Sequence, residues 1–162
     1  MTDALHVLAE EAPDQPDVVA LIEASDVYGA ERYPAEGNFA TDLAGLKAAD
    51  ITFLVARRGG CAEGCGAVKW CGDGTAELKR IFVSEAARGF GLGSRIMERL
   101  ETLIAARGIA TINLETGPLN IEAVAMYRRL GYAECGPFGD YPANPYSLFM
   151  TKNMTVEPSN EG

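Results

Sequence analysis

The chain has 162 residues, 48% of them apolar and 23% charged, with a net charge of −9; this suits one domain with a sizeable core. The acidic balance argues against a nucleic-acid binder, which needs a basic face, and no apolar run approaches the ~20 residues of a membrane span. The opening MTDALHVLAEE lacks the basic region and apolar run of a secretory signal, so a cytoplasmic protein is expected.

His6 to Leu8 reads as a short first strand. Asp14, Pro16 and Asp17 start a helix, with proline and acid in its first turn. Val18, Val19, Leu21 and Ile22 form its buried side, and it stops near Gly29. Pro34 and Gly37 keep Ala30 to Ala40 irregular. Thr41 is a candidate cap for a short helix carrying Leu43 and Leu46. Ile51 to Arg57 is a strand rich in β-branched and aromatic residues. Arg58-Gly59-Gly60 turns the chain back into a strand over Cys65 to Trp70. Gly72-Asp73-Gly74 turns it again into Thr75 to Val83. These three strands form an antiparallel meander.

Apolar residues then recur at Leu92, Ile96, Leu100, Leu103 and Ile104, with charges between them, which is a helical period. Gly108 ends that helix. Thr111 to Glu115 is the next strand, with Ile112 and Leu114 on one face. Strand, helix and strand make a βαβ unit, so the flanking strands are expected to be parallel. Asn120 to Leu130 is a further helix, Tyr132 to Glu134 starts a strand, Gly136 to Pro145 is a long loop, and Tyr146 to Thr151 is the last strand. One domain over residues 5–152 is predicted, with a tail over 153–162. The four cysteines show no C-x-x-C spacing and His6 is the sole histidine, so no metal site is expected.

The stretch Glu77 to Arg95, ELKRIFVSEAARGFGLGSR, places a glycine-rich turn between a strand and a helix. Such a turn presents backbone N–H groups and a helix dipole to a phosphate. A P-loop would need G-x-x-x-x-G-K-[ST], and the lysine is missing. A dinucleotide fingerprint would need a third glycine where Ser94 stands, and Glu115 falls near its acidic position. The upstream meander weakens that reading. Arg88-Gly89-Phe90-Gly91-Leu92-Gly93 instead fits [Q/R]-x-x-G-x-[G/A]. With Asn120-x-x-Ala123-x-x-x-Tyr127 and Leu130-Gly131-Tyr132, it resembles the GNAT superfamily of N-acetyltransferases. The stretches Ala76 to Val83, Leu114 to Gly117 and Phe138 to Pro142 are similar to a subgroup of small bacterial members of unsettled substrate.

The resemblance implies an α/β fold: a mixed, mostly antiparallel sheet of six or seven strands, helices on both faces, and a cleft where the fourth and fifth strands part. It implies acetyl-CoA as donor, a small-molecule primary amine as acceptor, and direct attack on the thioester. It leaves a homodimer open. The coenzyme A contacts it implies are Ile81, Phe82 and Val83 on the strand, Arg88, Gly89, Gly91, Leu92, Gly93 and Ser94 in the loop, and Asn120 and Ala123 on the second helix. Tyr127 stands at the family's general-acid position. Glu77 is the candidate base, and Glu115 a weaker one. Arg32, Tyr33, Asp140, Tyr141 and Tyr146 are nominated for the acceptor pocket. A non-catalytic acyl-CoA-binding sensor is the alternative, and the presence of both Glu77 and Tyr127 leans against it.

Overall fold

The computed structural model describes residues 6–154. The elements run β1 (Val7–Glu10), α1 (Pro16–Ala30), α2 (Leu43–Leu46), β2 (Ile51–Arg58), β3 (Cys61–Trp70), β4 (Thr75–Val83), α3 (Leu92–Ala106), β5 (Thr111–Thr116), α4 (Ile121–Arg129), β6 (Ala133–Cys135) and β7 (Leu148–Asn153). Among the described residues they form one seven-stranded sheet of order β1-β2-β3-β4-β5-β7-β6. The meander β2-β3-β4 is antiparallel, and β4 pairs with β5 in parallel, as the intervening helix requires.

Alternation along β3 divides the core. Val68 faces α3 and α4 in a cluster with Ile96, Leu100 and Ile112, whereas Cys65 and Ala67 face Val18, Leu21 and Leu46 of α1 and α2. Gly64 and Gly66 also face α3, and their missing side chains let that helix lie close on the sheet. A Cβ on Gly66 would stand 2.8 Å from both Ile81 Cδ1 and Ile96 Cγ2. Gly66→Ala should therefore destabilise the fold by about 1–3 kcal/mol through overpacking. Urea unfolding checks this, and a wild-type midpoint would show that Ile81 and Ile96 yield freely.

Several boundaries differ from the sequence-based expectations. His6 precedes β1 instead of lying within a strand; its Nε2 is 2.7 Å from Glu63 Oε1. Asp42, not Thr41, caps α2, accepting from the Gly45 amide at 2.8 Å. Strand β3 starts at Cys61, and β7 starts at Leu148, not Tyr146. Asn153 belongs to β7, and the Met154 amide bonds Ala110 O at 2.7 Å, so the ordered chain runs past the predicted start of the tail. The remainder of that tail, and residue 5 at the other end of the expected domain, lie outside the described residues.

One irregularity positions the site. Cys65 pairs with Phe82 and Ala67 with Lys79, so Gly66 faces both Arg80 and Ile81. This is a β-bulge, and Arg80 takes a φ of 55°, rare for a residue with a side chain. Leu78 and Ile81 pack toward α3, while Lys79 and Arg80, consecutive in sequence, both line the cleft on the opposite side. The bulge lets two neighbouring side chains share one face.

Candidate active site

The parallel ladder holds only from Thr75↔Thr111 to Leu78↔Leu114. Beyond it β4 runs on to Val83 and β5 to Thr116, and the strands part around a cleft of about 730 Å³. That is within the usual range for a small-ligand site.

At one end stands the glycine turn. Gly89 and Gly91 have φ of 88° and 78°, and the space beyond each missing Cβ is open. Leu92 opens α3, with Gly91 as its cap residue and no side chain capping the first turn. An unobstructed loop at a 15-residue helix N-terminus fits a pyrophosphate held by backbone N–H groups. Arg88 lines this end. Its Nε donates to Val83 O at 3.0 Å, and its guanidinium lies 5.2 Å from the Tyr28 ring and 5.5 Å from that of Phe82. Those contacts hold the turn against β4. Ile81, Phe82, Val83, Gly93, Asn120 and Ala123 also line the cleft; Ser94 does not.

Tyr127 projects from α4 into the cleft with 5% of its surface exposed. Its ring meets Tyr132 edge-on, and its hydroxyl makes no hydrogen bond among the described residues. Burial, and then the charge of Glu115, push the phenol well above the ordinary tyrosine range.

Glu77 and Glu115 lie on one face of adjacent strands, yet their surroundings differ. Glu77 is not among the cleft-lining residues. Lys79 Nζ lies 3.1 Å from its Oε2 and 3.0 Å from Tyr141 Oη, which donates to the same carboxylate. Glu115 does line the cleft and accepts from Ser147 Oγ at 2.6 Å. Burial pushes its carboxyl above the usual glutamate range, against the pull of the Ser147 bond and the Lys79 charge. A raised carboxyl open to the cleft suits proton abstraction better than one already paired.

Tyr33, Phe39, Tyr141 and Tyr146 also line the cleft. Tyr33 reaches from the α1–α2 loop across to the start of α4. Its hydroxyl accepts from the Leu119 amide at 2.8 Å and donates to Asn120 Oδ1 at 3.2 Å. Asn120 thus binds Tyr33 and Thr116 and makes no side-chain cap on its own helix. A Cβ on Gly117 would lie 2.0 Å from the Tyr33 oxygen. Arg32 and Asp140 do not line the cleft. Arg32 stacks 3.5 Å from the centre of the Tyr28 ring and bonds Tyr28 O.

Residues 5–132 match the acetyltransferase (GNAT) family. The chain belongs to that family. A protein from Azospirillum brasilense named IAA acetyltransferase is 47% identical over 91% of this chain and 97% of its own length. A structure from Klebsiella pneumoniae, provisionally described as an acyl-CoA N-acyltransferase, is 29% identical and superposes with a TM-score of 0.76 over 93% of this chain and 98% of that one. PaiA N-acetyltransferase of Thermoplasma acidophilum, solved with coenzyme A, shares the fold at 16% identity, with a TM-score of 0.71 over 91% of this chain and 98% of its own. As a GNAT acetyltransferase, the protein acts on acetyl-CoA.

The sequence alone did not point to Lys79, Arg80, Phe39 and Gly117 as GNAT site residues, although all four line the cleft. Gly117 and the Lys79–Arg80 pair carried a signal only as parts of motifs. Phe39 carried none, since an aromatic residue in a loop has no period. Among the described residues no group of His, Cys, Asp and Glu is arranged to hold a metal ion.

Proposed function

We propose that this GNAT enzyme transfers the acetyl group of acetyl-CoA to a primary amine of a small molecule by direct attack, with Glu115 as base and Tyr127 as donor to the leaving sulfur. The carrying observation is that both groups line the cleft where β4 and β5 part and that neither is paired with a cation among the described residues. An alkyl amine has a pKa near 10, so only about one in 10³ molecules is free base at pH 7. Glu115 removes that proton, directly or through water. Glu77 acts in support by fixing Lys79 and Tyr141. Tyr127 donates a hydrogen bond to sulfur as negative charge develops there. Full proton transfer is disfavoured, because a phenol near 10 is a weaker acid than a thiol near 8.5, by roughly 2 kcal/mol before burial widens the gap.

Amides of Gly89, Gly91 and Gly93 hold the pyrophosphate, and free backbone groups of β4 beyond Leu78 bond the pantetheine arm as an added strand would. The Tyr33 bridge supports a small acceptor, since an extended peptide needs an open groove. The test is thiol release from acetyl-CoA across a panel of about a hundred primary amines, with the N-acetyl product identified by mass. Tight binding of acetyl-CoA with no amine raising thiol release above the hydrolysis blank would overturn the proposal.

A further inference from the structure

We infer that Arg80 is the anion-binding residue of the acceptor chamber, and hence that the acceptor amine also carries a carboxylate; this rests on the acetyl transfer proposed above. Arg80 lies on the bulge, lines the cleft, and has only 6% of its side chain exposed. Its guanidinium is held from one side. Nε donates to Thr41 O at 2.9 Å, and Nη1 reaches Ser25 Oγ at 3.3 Å and Asp26 Oδ1 at 2.6 Å. A guanidinium carries five N–H donors. These contacts use Nε and Nη1, and Nη2 makes no hydrogen bond among the described residues. A buried charged donor is rarely left without a partner.

The other cations of the cleft are already engaged. Lys79 is consumed by Glu77 and Tyr141. Arg88 stands at the glycine turn. The counter-ion of Arg80 is Asp26, whose side chain is 48% exposed and thus turned largely to water. Asp26 itself lines the cleft, but it engages only Nη1 and solvent screens that pair, so Nη2 is left for a second anion. Glu115, also lining the cleft, bonds a hydroxyl and no cation. The chamber therefore offers a fixed positive group for a carboxylate and a separate carboxylate for an amine. Its walls are aromatic, which suits an apolar body on the acceptor. One guanidinium edge matches a singly charged carboxylate; a phosphate dianion would call for further unpaired cations.

The strain at Arg80 fits the same role. A φ of 55° is seldom kept by a side-chain-bearing residue unless its surroundings fix it, and such positions gather at ligand sites. With regular alternation, Arg80 would point into the α3 core beside Leu78, and Ile81 into the cleft.

The test uses the full chain, acetyl-CoA and matched amine pairs: L-phenylalanine against phenethylamine, and L-alanine against ethylamine. The carboxylate-bearing member should have the higher kcat/KM by about tenfold or more. Arg80→Gln should collapse that ratio, through acceptor KM and not through the KM for acetyl-CoA. Calorimetry with 3-phenylpropionate in the presence of coenzyme A gives a readout free of turnover: the wild type binds, and Arg80→Gln does not. If Arg80→Gln fails to fold by circular dichroism, the wild-type pairs and the calorimetry decide alone. Equal or better use of the decarboxylated amines, or no binding of 3-phenylpropionate, overturns the inference. If no amine releases thiol while 3-phenylpropionate still binds through Arg80, the anion site stands and the acetyl-transfer proposal falls.

Discussion

Glu115→Gln should lower kcat by about 10²- to 10³-fold, the usual worth of a positioned general base. Stopped thiol-release assays with any accepted amine measure it. In the wild type the rising limb of the pH profile should fall above the ordinary glutamate value of 4.5, because burial disfavours the carboxylate; in the variant that limb should vanish. Stability should move the other way. A carboxyl whose pKa is raised on folding contributes stability below its unfolded pKa, and loses it as pH rises through the folded value. At neutral pH, then, ionised Glu115 is a burden on the fold. The variant's amide oxygen can still accept from Ser147, so its Tm at pH 7 should equal or exceed that of the wild type. Activity near wild type would remove Glu115 from the chemistry and return the role of base to Glu77, acting through Tyr141.

Tyr127→Phe should cost about 10²-fold in kcat, in line with the loss of one donor aimed at developing charge, while the KM for acetyl-CoA changes little. The split matters more than the size. A donor used only as sulfur gains charge affects the barrier, whereas a residue that merely shapes the pantetheine channel affects binding. The phenylalanine ring fills the same space against Tyr132, and the lost hydroxyl has no partner among the described residues. Thermal stability should hold or rise slightly. An unchanged kcat with a raised KM would make Tyr127 a packing residue.

Much of the fold is legible because it is written locally. Glycine pairs mark the turns of the meander, the spacing from Leu92 to Ile104 marks α3, and Gly108 marks its end. The parallel β4–β5 pair follows from that order, and the glycine turn is where its residues suggest. The acceptor side is less legible. Period-two alternation puts Lys79 and Arg80 on opposite faces, and no residue type announces that Arg80 will take a positive φ. The bulge lies opposite Gly66, against Ile96 of α3, a neighbour 30 positions away that alternation does not reveal. The loop after the first helix nominates Arg32 for the pocket instead, although it stacks on Tyr28. The two glutamates show the same limit. Glu77 and Glu115 are equivalent by alternation, and what separates them is where Tyr141 lands. That contact spans 64 positions of sequence, and nothing near Glu77 encodes it.

Tyr33 and Gly117 lie far apart in the chain, yet the Tyr33 oxygen occupies the volume that a side chain at 117 would need. The two positions are thus one heritable unit. A lineage that enlarges residue 117 must first give up the tyrosine, and with it the tie between the α1–α2 loop and α4. A lineage that keeps the tyrosine is held to glycine at 117 and must seek new acceptors elsewhere, by changing the wall at Phe39, Tyr141 and Tyr146. Directed evolution of acceptor scope has its freedom in that wall, and the bridge sets its boundary.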